Sequence, residues 1–226
     1  MIFLSSLKIK LRKWKLAQKS PEEIFTKYYN KNKWGDKDSK SGKGSNLQAT
    51  EKLIPKLSQF INAHQITSMI DLPCGDFFWM QHVELQKISY TGADIVPRMI
   101  SENQKKYGAA KKNFLKIDLI KDQIPHSDLI FCRDCLVHLS SDAVKKALMN
   151  IKRSGSKWLL TTTFPGIIEN SEIVTGEWRK LDLTLPPFEL PLCEEIIFEG
   201  KSAEKGQTSD KALGLWKISD IPNYDI

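Results

Sequence analysis

The chain has 226 residues, with 34 lysines and arginines against 27 aspartates and glutamates, which gives a formal net charge of +7. Apolar residues make up 41% of the sequence, and no apolar run approaches the roughly 20 residues needed to span a bilayer. This length favours one domain. Four cysteines in so long a chain argue against a disulfide framework and predict a reduced, cytoplasmic protein. The composition and the short apolar runs exclude collagen-like, disordered and membrane-spanning proteins.

The positive charge is concentrated at the N-terminus. Residues 1–52 contain 13 basic and 5 acidic residues, whereas the other 174 residues contain 21 basic and 22 acidic ones. The body of the protein is therefore close to neutral, which argues against nucleic acid as a partner.

Residues 1–19 predict a basic amphipathic helix without a single acidic residue. Phe3, Leu7, Leu11 and Trp14 fall on one helical face. The basic residues of this segment are Lys8, Lys10, Arg12, Lys13, Lys15 and Lys19. Two interpretations stay open: the apolar face contacts an anionic membrane surface peripherally, or it packs on the body of the same protein.

After a polar loop at residues 30–46, helical and strand patterns alternate. The predicted helices are Thr50 (as N-cap) to about Ala63, Phe77–Val83, Pro97–Tyr107, and Asp142 to about Lys152 with Ser141 as N-cap. The predicted strands are Ser68–Leu72, Tyr90–Ile95, Asn113–Ile117, Asp128–Cys132 and Trp158–Phe164. Such alternation predicts an α/β fold with a doubly wound, mostly parallel sheet.

The C-terminal part departs from this alternation. Two further strands, Glu195–Phe198 and Leu213–Ile218, have no helical pattern between them, so we expect an antiparallel hairpin that brings the sheet to seven strands. Residues 165–193 contain four prolines and predict a lid-like insertion. We therefore expect an N-terminal appendage, residues 1–44, and a domain formed by residues 45–226.

Acidic residues follow the first four predicted strands. Asp71, Asp94 and Asp118 come at the ends of the first three strands, and Asp134 lies just beyond the fourth. The carboxyl ends of parallel strands share one edge of the sheet, so these carboxylates should converge on one crevice, where Gly75 lets the backbone approach a ligand closely. A carboxylate at Asp94 can accept hydrogen bonds from both hydroxyls of a ribose.

These segments resemble the successive motifs of class I S-adenosylmethionine-dependent methyltransferases. The segments are Asp71-Leu-Pro-Cys-Gly-Asp76, Gly92-Ala-Asp-Ile95, Asp118-Leu119 and Asp128-Leu-Ile-Phe-Cys-Arg-Asp-Cys135, within roughly residues 45–220. The resemblance implies a Rossmann-like fold with S-adenosylmethionine as cofactor. It implies that the Asp71–Asp76 loop, with Pro73, Cys74, Gly75 and Asp76, wraps the methionine part. It further implies that Asp94 holds the ribose, Ile95 packs on adenine and Asp118 accepts from the adenine amino group, with Leu119 and Arg133 beside them.

The same loop separates two cofactor classes. Pro73 and Phe77 stand where the family commonly has its first and third glycines, and a dinucleotide fingerprint would also need glycine near Pro73 and at Phe78. A carboxylate-rich mouth suits a sulfonium cation better than a pyrophosphate. The pattern therefore favours a methyltransferase over the alternative of a nicotinamide-dependent oxidoreductase.

Candidates for proton removal follow the fourth strand. Asp134 and His138 are four residues apart, and either could be the general base while the other orients it. The alternative is a capping aspartate and a structural histidine. Cys132 and Cys135 add a weak metal or dithiol pattern, but a second closely spaced ligand pair is missing from the sequence, so we expect no metal.

Two segments are candidates for closing over the ligands. Small residues in Ser41–Asn46 could approach the cofactor carboxylate, and Trp178, Arg179 and Phe188 of the insertion could bind an acceptor or simply pack. We expect methyl transfer to a hydroxyl of a small molecule, with a lean towards sugars or glycans. The alternative from another class is a cofactor-binding module without catalysis.

Overall fold

A seven-stranded β-sheet forms the centre of the computed structural model, which describes residues 2–200 and 211–225, with side chains from residue 9 onward. The strands are β1 (Ser68–Asp71), β2 (Ser89–Asp94), β3 (Lys112–Lys116), β4 (Leu129–Cys132), β5 (Trp158–Thr163), β6 (Glu195–Phe198) and β7 (Ala212–Lys217). The helices are α1 (Ile2–Ala17), α2 (Pro21–Asn30), α3 (Leu47–Thr50), α4 (Leu53–Ala63), α5 (Pro97–Tyr107) and α6 (Ser141–Arg153). Short 3₁₀ turns lie at Lys43–Ser45, Met80–His82, Leu136–His138 and Ile218–Asp220.

The strand order is β3-β2-β1-β4-β5-β7-β6. Strands β1 to β5 pair in parallel, and β7 pairs antiparallel with both β5 and β6. This confirms the predicted doubly wound sheet with its C-terminal antiparallel hairpin. Successive strands are added towards one edge of the sheet up to β3 and towards the other edge from β4 onward, so the strand order reverses between β1 and β4. Folds of this kind open a crevice at this point, at the carboxyl ends of the strands.

Alternate residues of the central strands face two separate apolar layers. In β4, Ile130 and Cys132 pack with the apolar side of α6, whereas Leu129 and Phe131 pack with α4 on the opposite face. All four residues are essentially inaccessible to solvent. A strand that is covered on both faces reads as a continuous apolar run, which is why β4 could be predicted from sequence.

Several helix boundaries differ from the predicted ones. The helix predicted from Thr50 to about Ala63 is α4, which begins at Leu53 without a side-chain cap. Thr50 instead ends α3, which Asn46 caps, because its Oδ1 accepts a hydrogen bond from the Ala49 N–H at 2.9 Å. Ser140, one residue before the predicted Ser141, caps α6. The predicted helix over Phe77–Val83 is reduced to one 3₁₀ turn, since Phe77 has a φ of 57° and interrupts the helical backbone.

Helix α2 was not predicted, and it lies within residues 1–44, the segment predicted as an appendage. Ile24, Tyr28 and Tyr29 of this helix are buried, and the Tyr29 hydroxyl donates to the Glu102 carboxylate at 2.7 Å. Ser20 and Glu23 form a reciprocal capping box at the start of the helix. A boundary at residue 44 would therefore separate buried residues from their contacts.

The insertion at residues 165–193 is packed against the body without forming a helix or strand. Leu181, Leu183 and Phe188 belong to the same apolar cluster as α6, and the Phe164 N–H donates to the Leu181 carbonyl at 2.9 Å.

Among the described residues, none of the helices combines the length and the hydropathy that a bilayer span requires.

Replacing Ile24 by alanine tests whether α2 belongs to the folding unit. Ile24 is 1% exposed, so its truncation should lower the free energy of unfolding by about 2–4 kcal/mol, measured by urea titration and circular dichroism. Lys27→Ala, at an exposed position of the same helix, is the matched control and should change stability by less than about 0.5 kcal/mol. Equal stabilities of the two variants would contradict this placement of α2.

Candidate active site

A cavity of about 970 Å³ opens at the carboxyl ends of β1, β2 and β4, next to the point where the strand order reverses. All the predicted site residues line it except Arg179 and Phe188. Those that line it are Asp71, Pro73, Cys74, Gly75, Asp76, Asp94, Ile95, Asp118, Leu119, Arg133, Asp134, His138 and Trp178. The four strand-end carboxylates thus share one cavity.

Asp71 and Asp94 are buried carboxylates at the centre of the sheet edge. Asp71 accepts a hydrogen bond from the Tyr90 hydroxyl at 2.7 Å, but burial raises the pKa of Asp71 to about 8. Burial also raises the pKa of Asp94 to about 6, against the effect of backbone N–H donors from Val96 and Gly75. Carboxyl groups held in this state gain from a positively charged ligand, so this end of the cavity fits a cation such as a sulfonium.

Asp118 has a different environment from Asp71 and Asp94. It lies two residues beyond β3, is 3% exposed, and accepts from the Ile120 N–H at 3.0 Å. Lys121 approaches its other oxygen at 3.4 Å from a largely exposed position. This carboxylate is therefore held in place at the cavity wall by local contacts.

Asp76 holds a neighbouring loop. Its carboxylate accepts from the Lys40 N–H at 2.8 Å and from the Ser39 hydroxyl at 3.0 Å, while its own N–H donates to Ser41 Oγ at 2.9 Å. Gly75 has a φ of 57°, and a Cβ there would collide with Ser41 Oγ. The hydrogen bonds of Asp76 hold residues 39–41 against the loop that follows β1, and residues 41–45 line the cavity.

An ion-pair cluster joins the ends of β4, β6 and β7. Arg133 makes two hydrogen bonds to the Glu199 carboxylate, at 2.6 and 3.0 Å, and a third to the Gly44 carbonyl at 2.9 Å. Lys211 lies 2.6 Å from Asp134 Oδ2 and 3.2 Å from Glu199. Burial acts to raise the pKa of Asp134, but Lys211 and Arg133 together lower it far below its usual range. Asp134 is therefore ionised and a very weak base.

His138 ends the 3₁₀ turn that follows β4. Its Nδ1 lies 2.8 Å from the Glu177 carbonyl oxygen, and because a carbonyl only accepts, Nδ1 carries the hydrogen and Nε2 keeps a lone pair. Burial lowers the pKa of His138, partly opposed by this hydrogen bond and by Asp134, so the ring is neutral at pH 7. Asp134 has a φ of 55°, so it reaches the same cavity without the helical spacing considered from sequence.

An aromatic ring from the N-terminal segment, whose role was missed, lies beside His138. The Trp34 ring centroid lies 6.3 Å from that of His138, and Tyr28 packs edge-on against Trp34 at 5.6 Å. Phe164 and Trp178 also line the cavity, with their ring centroids 6.0 Å apart, and Trp178 is 54% exposed. The Ser20-Pro-Glu-Glu23 capping signature was the signal that could have located α2 and its aromatic residues.

Arg179 and Phe188, which were expected either to bind an acceptor or to pack, are both buried. Phe188 is fully buried in the core beside α6, where an apolar side chain of the insertion is most stable. Arg179 is 4% exposed, and its Nη1 donates to the Leu139 carbonyl. The Arg179 N–H donates to the Val137 carbonyl, and the preceding residue, Trp178, lines the cavity.

Cys132 and Cys135 lie against each other at the end of β4. A hydrogen bond with Cys132 and burial raise the pKa of Cys135 well above its usual value, so the thiol is protonated at neutral pH. In the part of the chain that the structure describes, no cluster of three or more histidine, cysteine or carboxylate groups could hold a metal ion.

Comparisons with known proteins give matches in structure. No protein-family model matches the sequence, and a comparison with curated proteins also gives no match. Solved structures of similar fold include PigF with SAH, at a TM-score of 0.55 and 14% identity over 75% of this chain and 56% of that chain. Human N-acetylserotonin methyltransferase in complex with SAM has a TM-score of 0.50 at 14% identity, over 75% of this chain and 53% of that chain.

A third solved structure is the methyltransferase domain of bacterial CtHen1, with a TM-score of 0.50 and 11% identity. The match includes 76% of this chain and the whole of that domain. In contrast, this chain spans only about half the length of the other two proteins. At such low identity the likeness establishes the fold. With its seven-stranded sheet, reversal point and terminal hairpin, the chain has the class I fold of the S-adenosylmethionine-dependent methyltransferases.

Proposed function

We propose that the protein is an enzyme that transfers a methyl group from S-adenosylmethionine to an acceptor hydroxyl. The observation that carries this proposal is one cavity that is lined both by buried carboxylates, which favour a cation, and by the neutral His138 ring, with Trp34 beside it. A sulfonium donor suits the first environment and a hydroxyl acceptor the second. The fold supports the same assignment.

The residues that would hold the cofactor follow from the sequence motifs and their position in the cavity. Asp94 would accept from the ribose hydroxyls and Ile95 would pack on adenine, with Asp118 accepting from its amino group and Leu119 beside it. The loop with Pro73, Cys74, Gly75 and Asp76 would enclose the methionine part, beside Asp71 and Arg133. When bound, S-adenosylmethionine would supply an electrophilic methyl group on a positively charged sulfur: an acceptor oxygen would bond to the methyl carbon while the carbon–sulfur bond breaks, and the uncharged thioether would be the leaving group.

His138 is the candidate general base. Its Nε2 lone pair is free because Nδ1 donates to the Glu177 carbonyl, and its lowered pKa keeps it neutral at pH 7. As the acceptor oxygen forms its bond to the methyl carbon, Nε2 takes the hydroxyl proton and later passes it to solvent. Asp134, held ionised by Lys211, favours the protonated ring that forms and so assists rather than competes.

A sugar or glycan hydroxyl is the acceptor that we propose. Trp34 and Trp178 offer flat apolar faces on two walls near His138, and aromatic rings stack readily on sugar rings. The exposed face of Trp178 leaves room for an acceptor that extends beyond the cavity. A module that binds the cofactor without catalysis would have no need of the free Nε2 of His138.

Replacing His138 by asparagine tests catalysis separately from cofactor binding. Asparagine can still donate to the Glu177 carbonyl but lacks Nε2, so kcat should fall about 10²–10⁴-fold while the Kd for S-adenosylmethionine stays unchanged. Methylation of a panel of sugar, glycan and phenolic hydroxyls is followed by mass spectrometry, and cofactor binding by calorimetry. His126→Asn, at an exposed histidine, is the matched control.

Three results would contradict the proposed function. Calorimetry that detects NAD but neither S-adenosylmethionine nor its demethylated product would support the oxidoreductase alternative. Cofactor binding by a wild-type protein that methylates none of the hydroxyl acceptors would support the binding module. Unchanged kcat in His138→Asn would remove His138 from the chemistry.

The raised pKa values predict proton release on cofactor binding. Asp71, with a pKa of about 8, is mostly protonated at pH 7, and a nearby sulfonium should lower that pKa and expel the proton. S-adenosylmethionine should therefore release more protons than its uncharged-sulfur product, a difference that vanishes at pH 9 and in Asp71→Asn. Calorimetry in buffers of different ionisation enthalpy measures this, and equal proton release by both ligands would refute it.

We also propose that α1 contacts an anionic membrane surface peripherally. Leu11 and Trp14, on the predicted apolar face, are 49% and 60% exposed, with Lys10 and Lys15 exposed beside them. Phe3 and Leu7 of the same face lie outside the described side chains. An apolar stripe turned to solvent and flanked by lysines suits the interface of a bilayer with negative headgroups.

Vesicle flotation tests this contact. The wild type should float with phosphatidylcholine vesicles that contain phosphatidylglycerol and not with phosphatidylcholine alone. Leu11→Ala/Trp14→Ala should weaken binding at least about tenfold, because both side chains lose buried apolar area. The matched control, Ile168→Ala/Leu192→Ala, removes two exposed apolar residues elsewhere. Binding by the two double variants to the same extent would refute the role of α1.

A further inference from the structure

Residues 174–179 of the insertion run alongside the turn that carries His138. The Gly176 N–H donates to the His138 carbonyl at 2.8 Å, and the Arg179 N–H donates to the Val137 carbonyl at 3.1 Å. Between them, the Glu177 carbonyl accepts from His138 Nδ1 at 2.8 Å. The backbone at Glu177 therefore determines where the acceptor of the imidazole N–H lies.

The Glu177 side chain is held by helix α1. Its Oε1 lies 2.9 Å from Arg12 Nη2 and its Oε2 lies 3.3 Å from Lys13 Nζ. The Val174 N–H donates to the same carboxylate at 3.2 Å, and the Glu177 N–H donates back to the Val174 carbonyl at 3.0 Å, which closes a turn. Burial acts to raise the pKa of Glu177, but the hydrogen bonds from Arg12, Val174 and Lys13 lower it overall, so the carboxylate is charged.

The side chains in this contact differ in exposure. Only 9% of the Glu177 side chain is exposed, compared with 62% for Arg12 and 44% for Lys13. A charged carboxylate that is shielded on the protein side depends on its two cations more than an exposed one would. Loss of α1 from this position would leave Glu177 short of partners and favour rearrangement of the turn.

Helix α2 supports the turn from the other side. Gly176 has a φ of 95°, and a Cβ there would lie 2.7 Å from Ile24 Cγ2. The Tyr28 hydroxyl donates to the Gly176 carbonyl at 2.9 Å. The turn at 174–177 is thus held between the two N-terminal helices, with the ion pairs on the α1 side as its electrostatic link.

We propose that Glu177 is a positioning residue, through which Arg12 and Lys13 of α1 keep His138 in the Nδ1–H tautomer with Nε2 directed to the acceptor. This inference rests on the proposed role of His138 in methyl transfer. The tautomer of a histidine follows from the hydrogen bond that its other nitrogen makes, so an altered Glu177 carbonyl position releases the ring. Helix α1 then contributes to catalysis without touching either ligand's reacting atoms.

The test weakens the ion pairs from both sides. Glu177→Gln removes the carboxylate charge at nearly constant size, and Arg12→Ala/Lys13→Ala removes both cations. Each variant should lower kcat about tenfold with an unchanged Kd for S-adenosylmethionine, and combining them should add little, since they break one shared contact. In nitrogen-15 and carbon-13 NMR of the imidazole, assigned with His138→Asn, each should shift His138 from the Nδ1–H towards the Nε2–H tautomer.

Two charge-matched controls accompany the variants. Glu169→Gln lies at an exposed position of the same insertion, and Lys27→Ala/Lys31→Ala removes two exposed lysines from α2 and its C-cap. Both should keep the wild-type tautomer and kcat. Thermal melts check that all variants fold, and if Glu177→Gln does not, Arg12→Ala/Lys13→Ala still tests the proposal from the more exposed side.

The outcomes separate this inference from the proposed function. A wild-type tautomer and a wild-type kcat in the Glu177 and Arg12/Lys13 variants would overturn the positioning role. If the wild type methylates no acceptor, the proposed function fails, and the NMR tautomer alone then decides whether Glu177 and α1 hold the His138 ring. A tautomer shift without any change in kcat in an active enzyme would also overturn the catalytic contribution of α1.

Discussion

The burial of carboxylates at the carboxyl edge of a parallel sheet is the constraint on which the site depends. Asp71 and Asp94 occupy positions where β1 and β2 end, at the reversal of strand order, and burial raises the pKa of each. Keeping such groups out of water costs stability unless a ligand of opposite charge repays the cost. The same burial that disfavours the empty site therefore favours a cationic ligand.

The sheet edge supplies one side of the cavity, and other segments complete it. Asp76 fastens residues 39–41 across the loop after β1, and Arg133 ties the ends of β4 and β6 to Gly44. From the insertion, the cavity is lined by Ile173, Gly176, Glu177, Trp178 and Lys180. Segments distant in sequence are thus joined by ion pairs and hydrogen bonds whose partners lie at strand ends.

The two candidate bases differ in protonation behaviour because their surroundings differ. Asp134 and His138 looked equivalent in sequence, but Lys211 and Arg133 hold Asp134 as a weak, ionised base, whereas burial keeps His138 neutral. Lys211 comes 77 residues after Asp134 and lies directly before β7, the strand that pairs between β5 and β6. Sequence spacing carries no information about such a partner, so the choice between the two residues needed the fold.

The sequence by itself determined the sheet, its hairpin and the acids at the strand ends. Hydrophobic periodicity, apolar runs and turn residues are local features, and each depends on only a few neighbouring residues. Tertiary structure alone decided the rest. It turned Phe188 and Arg179 inward, brought α2 and Trp34 to the cavity, and placed Glu177 between α1 and His138. Those outcomes depend on which surfaces remain uncovered after the sheet has formed, and that is a property of the packed molecule, not of any short stretch of residues.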